Sequence, residues 1–448
     1  MPEAPRTEAT VVIEEARRLS ESLIWRLQRG FYARAGLLAW KPKAVPFYIT
    51  SNAFTARAYA RTVAGFLRDL VAAGQVDRTA PLHLVELAAG SGQFACFFLR
   101  RLAEIQEEVP ALAGLDLRYV MTDFAESNVA AWEAHERLAP FRDQGRLDFA
   151  LFDLERDSEL RLRRAGATLT AGSVANPMVL LANYAFDSTT QDAFQVLDGV
   201  LHERLARVLS TQEEPDLDDP ELLQRIQVRY ELAPVDESKR YEDPRLRSLL
   251  AGYRRDYREA SFLVPLGAFR CVRTFEALCG GRLLLLTGDK AVTRDDELAH
   301  AKDPTFYVHA GGAFSFLANL HALARDFERG GGAALVVDRR DQRLKVAALL
   351  TAFPGVAWDE TRLAFRRSQE DFGPADYHAL VFGLRQQNAT LPLQVILSQL
   401  RLGGWDYELV FSWRDQLVKL APQAPAWQQA DLADALERVW EEYYPLQR

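Results

Sequence analysis

Leu84-Val85-Glu86-Leu87-Ala88-Ala89-Gly90-Ser91-Gly92-Gln93 is an apolar strand that runs into an acid and a glycine-bearing turn, and a helical run follows over 94–105. A turn this tight brings backbone amides against a ligand, and the amino end of the helix adds free donors and a favourable dipole. The pyrophosphate fingerprint GxGxxG is absent, because Gly90-Ser91-Gly92 is followed by Gln93-Phe94-Ala95. That disfavours NAD and FAD. A glycine turn alone is weak evidence, since any strand-to-helix connection can use one.

The neighbouring segments change the balance. From residue 82 the chain alternates short apolar runs with helical stretches, the pattern of parallel strands joined by crossover helices. Candidate strands cover 83–87, 117–122, 147–152, 178–182 and 282–286. Asp123 closes the second, with Phe124 next to it, and Asp153 closes the third. Taken singly, each acid reads as a helix cap or a solvated loop residue. Together they occupy the carboxyl ends of successive strands, where open parallel sheets bind ligands. There one carboxylate can accept from two ribose hydroxyls and the other can meet an adenine amino group. The expected cofactor is S-adenosylmethionine, lined by Glu86, Ala88, Gly90, Gly92, Asp123, Phe124, Asp153 and Asn183. The expected fold class is α/β, a Rossmann-like class I methyltransferase fold with a mostly parallel sheet.

Outside this core, residues 1–10 read as a tail, and 11–34 carry apolar residues at helical spacing, including Ile13, Leu19, Leu23, Trp25 and Leu27. A second helix is expected over 53–73, capped by Ser51 or Asn52. Residues 1–80 thus form an N-terminal helical region, and 81–207 with 264–350 form the catalytic domain. Residues 208–263 are expected to be a helical insertion between the fourth and fifth strands that walls the substrate cleft. Within it, 211–220 hold Glu213, Glu214, Asp216, Asp218 and Asp219 without a basic residue, the mark of a solvated loop. After Gly330-Gly331-Gly332 comes an apolar run over 333–337, then a mostly helical remainder in which 351–448 form a C-terminal helical domain.

The chain has 448 residues, 48% hydrophobic and 26% charged, enough for a large core. A net charge of -8 provides no positive field for nucleic acid, and the small cluster Arg161, Arg163 and Arg164 reads as a solvated turn. The three cysteines lack CxxC spacing, which suggests reduced thiols in a cytoplasmic protein without structural zinc. No apolar run approaches the ~20 residues that span a bilayer, so no membrane partner is expected.

Taken in order, Thr50-Ser51 before a helix, 86–92, Ala182-Asn183-Tyr184-Ala185-Phe186-Asp187 and Leu284-Leu285-Leu286-Thr287-Gly288-Asp289 resemble the MidA-like class I methyltransferases over roughly residues 45–350. Mitochondrial members of that family methylate an arginine on a complex I subunit during its assembly. The most specific stretch is 179–204, where Asn183, Phe186, Asp187, Phe194, Glu203 and Arg204 fit the family. The chain departs at Tyr184, which stands where the family has glutamate, at Ser188-Thr189-Thr190 in place of Ala-Leu-Pro, and at Ala88 in place of the first glycine. Thr287-Gly288-Asp289 is similar to the family's Asp-Tyr-Gly. The stretch 314–319 faintly resembles the family's Val-Asp-Phe-x-x-Leu helix, with Ser315 and Asn319 replacing the aspartate and the leucine.

Methyl transfer is an in-line displacement, so the protein mainly aligns a nucleophile and excludes water. A nitrogen acceptor also needs carboxylates to orient it and take its proton. Asn183, Tyr184 and Asp187, after the fourth strand, are the candidate catalytic residues. The bland reading makes Asn183 a turn cap and Asp187 a helix start. His202, His309 and His321 lack metal-ligand spacing, and only His309, beside Gly311-Gly312, is kept as a proton acceptor. The expected partner is a protein, peptide or small-molecule methyl acceptor, with a homodimer as an option. The protein or peptide reading leads. Its rivals are a small-molecule methyltransferase of specialised metabolism and a non-catalytic relative that keeps the cofactor as a structural ligand.

Overall fold

In the computed structural model, which describes residues 11–40, 48–219, 221–300, 304, 306–309, 311–340, 344–386 and 390–446, the stretch 84–93 sits at the centre of a twisted sheet. The tail 1–10 and Pro220 of the acidic block lie outside the described residues. The chain opens with β1 (Val11–Arg17), α1 (Leu23–Ala35) and α2 (Ala53–Ala72). The alternating unit follows as β2 (Leu82–Leu87), α3 (Gln93–Glu108), β3 (Leu117–Asp123), α4 (Glu126–Glu133), β4 (Leu147–Leu151) and β5 (Met178–Asn183). Next come β6 (Asp192–Leu197), β7 (Val200–Ser210), β8 (Ile226–Pro234), α5 (Pro244–Asp256), β9 (Ala260–Val264) and α6 (Leu266–Leu278). The chain then returns to the main sheet through β10 (Leu283–Val292), α7 (Leu320–Arg329), β11 (Ala333–Val336) and β12 (Leu344–Leu350). It ends in α8 (Asp359–Phe365), α9 (Pro374–Gln386), α10 (Leu393–Leu402), α11 (Tyr407–Leu420) and α12 (Ala426–Glu442).

The main sheet has the order β11-β12-β10-β5-β2-β3-β4. Strands β4, β3, β2, β5 and β10 are parallel, and β12 runs antiparallel to both β10 and β11. The chain moves outward from β2 through β3 to β4 and then returns to β5 on the other side of β2. This switch point opens a crevice beyond the carboxyl ends of β2 and β5, the binding position of a Rossmann-like α/β fold. The strands read as continuous apolar runs because both faces are covered. Alternate residues face opposite ways: Leu84, Val179, Leu181 and Leu284 join the core with α2 and α3, while Val85, Leu180 and Leu283 join the core with α5 and α6. Side chains of α9 to α12 pack into the first of these cores. Asn52 caps α2, its Oδ1 accepting from the Thr55 amide at 2.8 Å.

Three expectations need correction. Val11–Arg17 is a strand, not part of a helix; its β-branched start, Val11-Val12-Ile13, suits an extended edge, and it pairs antiparallel with the end of β7. The insertion is mixed rather than helical, because β8 pairs with β7 from Ile226↔Ser210 to Pro234↔His202 and only α5 and a short turn of helix at Glu237–Arg240 follow before β9. Together β1, β6, β7, β8 and β9 form an antiparallel sheet, whose apolar residues Ala193, Ala206 and Val208 share a third core with Ile24, Leu27 and Phe31 of α1. Finally, β12 falls where a helical remainder was expected. A short apolar run buried on both faces has no period that separates strand from helix. Among the described residues no helix is long and apolar enough to cross a membrane.

Candidate functional site

The turn after β2 is built for close approach. Ala88, Gly90 and Gly92 all take left-handed φ, at 49°, 54° and 79°. Gly92 caps α3, and a Cβ there would lie 2.8 Å from the Tyr444 hydroxyl and 3.0 Å from Met121 and Trp132. The turn's carbonyls are fixed from behind, Gly90 O by Trp132 Nε1 at 3.0 Å and Ser91 O by the Tyr444 hydroxyl at 2.9 Å. Glu86 points into the core rather than toward the crevice: it is 5% exposed and accepts from the Tyr119 hydroxyl at 2.8 Å.

Burial pushes the Glu86 carboxyl from its ordinary 4.5 up to about 8, against the pull of the Tyr119 hydrogen bond. The folded state therefore holds a proton that the unfolded chain releases above 4.5. Stability falls as pH rises from about 4.5 to about 8. Glu86→Gln stays neutral and can still accept from Tyr119. The variant and the wild type should melt alike near pH 5, and the variant should be the more stable near pH 8, by at most about 1.4 kcal/mol for each pH unit of the window. Denaturation curves at the two pH values check this; an unchanged difference between them contradicts it.

The crevice is a cleft with about 820 Å³ of free space, open mouth included. The sheet supplies Ala88, Asp123, Phe124, Asp153, Leu154 and Glu155, the stretch after β5 supplies Tyr184, Ala185, Ser188 and Thr189, and α1 supplies Trp25, Gln28, Arg29 and Tyr32. The cleft thus brings together Ala88, Asp123, Phe124, Asp153 and Tyr184 from the sequence reading. Glu86, Gly90, Gly92, Asn183 and Asp187 are not among its lining residues. Among the described residues, Ala88 and Tyr184 are two of the four non-glycine residues with positive φ, the latter at 47°. Such strain is held at sites that need a special backbone.

Asp123 accepts from the Ala125 amide at 2.9 Å and from Asn128 Nδ2 at 3.0 Å. Burial raises its carboxyl pKa, opposed by these hydrogen bonds. The Gly90 and Phe124 amides also hydrogen-bond to this carboxylate. Beside it, Asn128 Oδ1 is buried without a hydrogen-bond partner, a vacancy that a donor in the cleft would fill. Asp153 turns one oxygen to the Glu155 amide at 3.1 Å and the other to Arg29 at 2.5 Å.

Asn183 and Asp187 are chain neighbours of Tyr184 and Ser188, which line the cleft. Asn183 Oδ1 accepts from the buried Tyr59 hydroxyl at 2.8 Å. Asp187, 5% exposed, accepts from Ser188 Oγ at 2.8 Å and is hydrogen-bonded by Ser315. Burial pushes its carboxyl up to about 6. Asp289 closes the motif Thr287-Gly288-Asp289 and pins this loop, accepting from the Phe186 and Asp187 amides at 3.1 Å each. Its own carboxyl is held well above the usual range, first by burial and then by Asp187. His309 Nε2 lies 3.0 Å from Ser315 Oγ, and burial lowers the imidazole to about 4, with Lys290 adding to the effect. His309 is therefore neutral near pH 7 and sits one hydroxyl away from Asp187.

Sequence reading missed Trp25, Gln28, Arg29, Tyr32 and Asn128. The signal available for the first four was their i, i+3, i+4, i+7 spacing, one face of a helix.

No protein-family model matches the chain, and no curated protein sequence matches it. Among solved structures, it is similar to an uncharacterised protein from Burkholderia thailandensis, at 15% identity and a TM-score of 0.41 over 76% of this chain and 94% of that one. A second member of that protein's superfamily, from the same organism and bound to S-adenosyl-homocysteine, is similar at 15% identity and a TM-score of 0.42 over 78% and 95%. The 1,6-didemethyltoxoflavin-N1-methyltransferase of Burkholderia thailandensis is similar at 11% identity and a TM-score of 0.31 over 78% and 99%.

Proposed function

We propose that the chain is an S-adenosylmethionine-dependent methyltransferase, a divergent relative of the MidA-like class. The observation that carries this is the convergence of Ala88, Asp123 and Asp153, from the ends of three adjacent parallel strands, on one cleft. Asp123 would take the ribose hydroxyls, Phe124 and Asp153 the adenine, and the turn 88–92 with Asn183 the amino-acid end. The residues fit this group: Asn128 Oδ1 is an unpartnered polar atom beside the ribose position.

When bound, the cofactor supplies a methyl group already activated on a sulfonium. The chain then has to hold the acceptor in line and keep water out, tasks that suit the aromatic walls Trp25, Tyr32 and Tyr184. An acceptor nitrogen must lose a proton as its bond to carbon forms. Asp187, bonded to the cleft-lining Ser188, would accept that proton. A protein or peptide side chain is the leading acceptor. A small-molecule acceptor is the second reading, favoured by Tyr184, which puts a phenol where the family carries a glutamate for a cationic side chain.

The test is incubation with labelled methyl donor and a lysate of the source cells. Label should enter protein, and Asp187→Asn should reduce its entry by about a hundredfold while S-adenosylhomocysteine affinity changes little. Label in small molecules selects the second reading. Absence of label from every fraction, with the cofactor product still bound, refutes catalysis.

A further inference from the structure

The residues assigned to adenine already hold a flat, N–H-bearing group that belongs to the chain. Arg29 on α1 places its Cζ 4.8 Å from the centre of the Phe124 ring and its Nη2 2.5 Å from Asp153 Oδ2. A guanidinium presents a planar face and edge donors. An adenine presents the same two features, a π-face and an edge amino group. The ring of Phe124 and the rim carboxylate of Asp153 therefore serve either group, but not both at once. Asp153 Oδ2 is enclosed and makes no aligned hydrogen bond, so its charge is compensated by Arg29, with Arg156 at 3.6 Å.

We propose that Arg29 is a built-in stand-in for adenine that closes this subsite until the cofactor displaces it. The proposal rests on the cofactor reading above and adds a regulation of the same site. Displacement requires a side chain to move, not a helix. Ile24, Leu27 and Phe31 anchor the other face of α1 in the third core, whereas the Arg29 side chain is 33% exposed and has solvent to swing into. A partly exposed ion pair and a cation–π contact are both weak, so the cofactor can outcompete them. In exchange, the Arg29 contacts keep the Asp153 carboxylate paired and the Phe124 ring covered.

The opposite role is also physically clear. If Arg29 instead formed the second wall over a bound adenine, removing it would weaken binding. Calorimetric titration of the full chain with S-adenosylhomocysteine, a ligand with no net charge, separates the two. Arg29→Ala and Arg29→Met should each bind about three- to tenfold more tightly than the wild type. The wild-type affinity should rise as sodium chloride screens the ion pair, and the variants should show no such rise. Thermal melting without ligand should show the variants slightly less stable, which also confirms that they fold; the methionine variant keeps the side-chain packing should the alanine variant fail. Equal or weaker binding by a folded variant overturns the stand-in. Failure of the wild type and both folded variants to bind overturns the cofactor reading itself, and the stand-in with it.

Discussion

Ala88→Phe is expected to abolish S-adenosylhomocysteine binding, with a loss of at least about a hundredfold, or roughly 2.8 kcal/mol. Ala88 lines the cleft at the end of β2, in the turn on which the amino-acid end of the cofactor would rest. It already holds a left-handed φ of 49° with a Cβ in place, so a larger side chain adds no new backbone strain at this position. The added ring has free cleft volume to enter, and that volume is the ligand's. The thermal midpoint without ligand should therefore stay close to the wild type. A variant that binds as tightly as the wild type would remove this turn from the binding site.

Asp123→Ala is expected to weaken the same binding by about ten- to a hundredfold, because two hydrogen bonds from ribose hydroxyls to a carboxylate are lost together. The side chain also holds the start of α4 through the Ala125 amide and Asn128, so a stability cost of about 1–2 kcal/mol should accompany the change. The unliganded thermal midpoint serves as the control: an affinity loss no larger than the loss of stability would trace to the loosening of α4 and not to the carboxylate.

The strands of the main sheet and the acids at their ends were legible because strands covered on both faces must be apolar, and because the carboxylates stand where those runs stop. The turn 84–93 was legible for the same reason. The N-terminal wall was not. Trp25, Arg29 and Tyr32 reach the cleft only because β1 docks on β7, a pairing of residues nearly two hundred positions apart. Their helix face mixes aromatic and cationic groups, so it reads as an ordinary amphipathic surface. The roles of Glu86 and Asp187 were hidden in another way. Both lie in motif positions, but their neighbours Tyr119 and Asp289 come from adjacent strands and decide that one carboxyl faces the core and the other is pinned beside a second acid. The buried strand Leu344–Leu350 carries no period of its own, and its place in the sheet is fixed by pairing with β10.

The described residues of the acidic block, 211–219, form a solvated turn after β7. Glu213, Glu214, Asp216 and Asp218 are exposed, and Arg225 lies near Asp219 at 3.9 Å. These carboxylates face water and give no contact that would name a partner.

We propose the cleft at the switch point of the sheet as an S-adenosylmethionine site and not a dinucleotide site. Calorimetric titration of the wild-type chain with S-adenosylhomocysteine, NAD and FAD in parallel tests it most directly. One molecule of S-adenosylhomocysteine should bind per chain, with no heat from either dinucleotide. Binding of a dinucleotide, or no binding of S-adenosylhomocysteine to the folded protein, would contradict it.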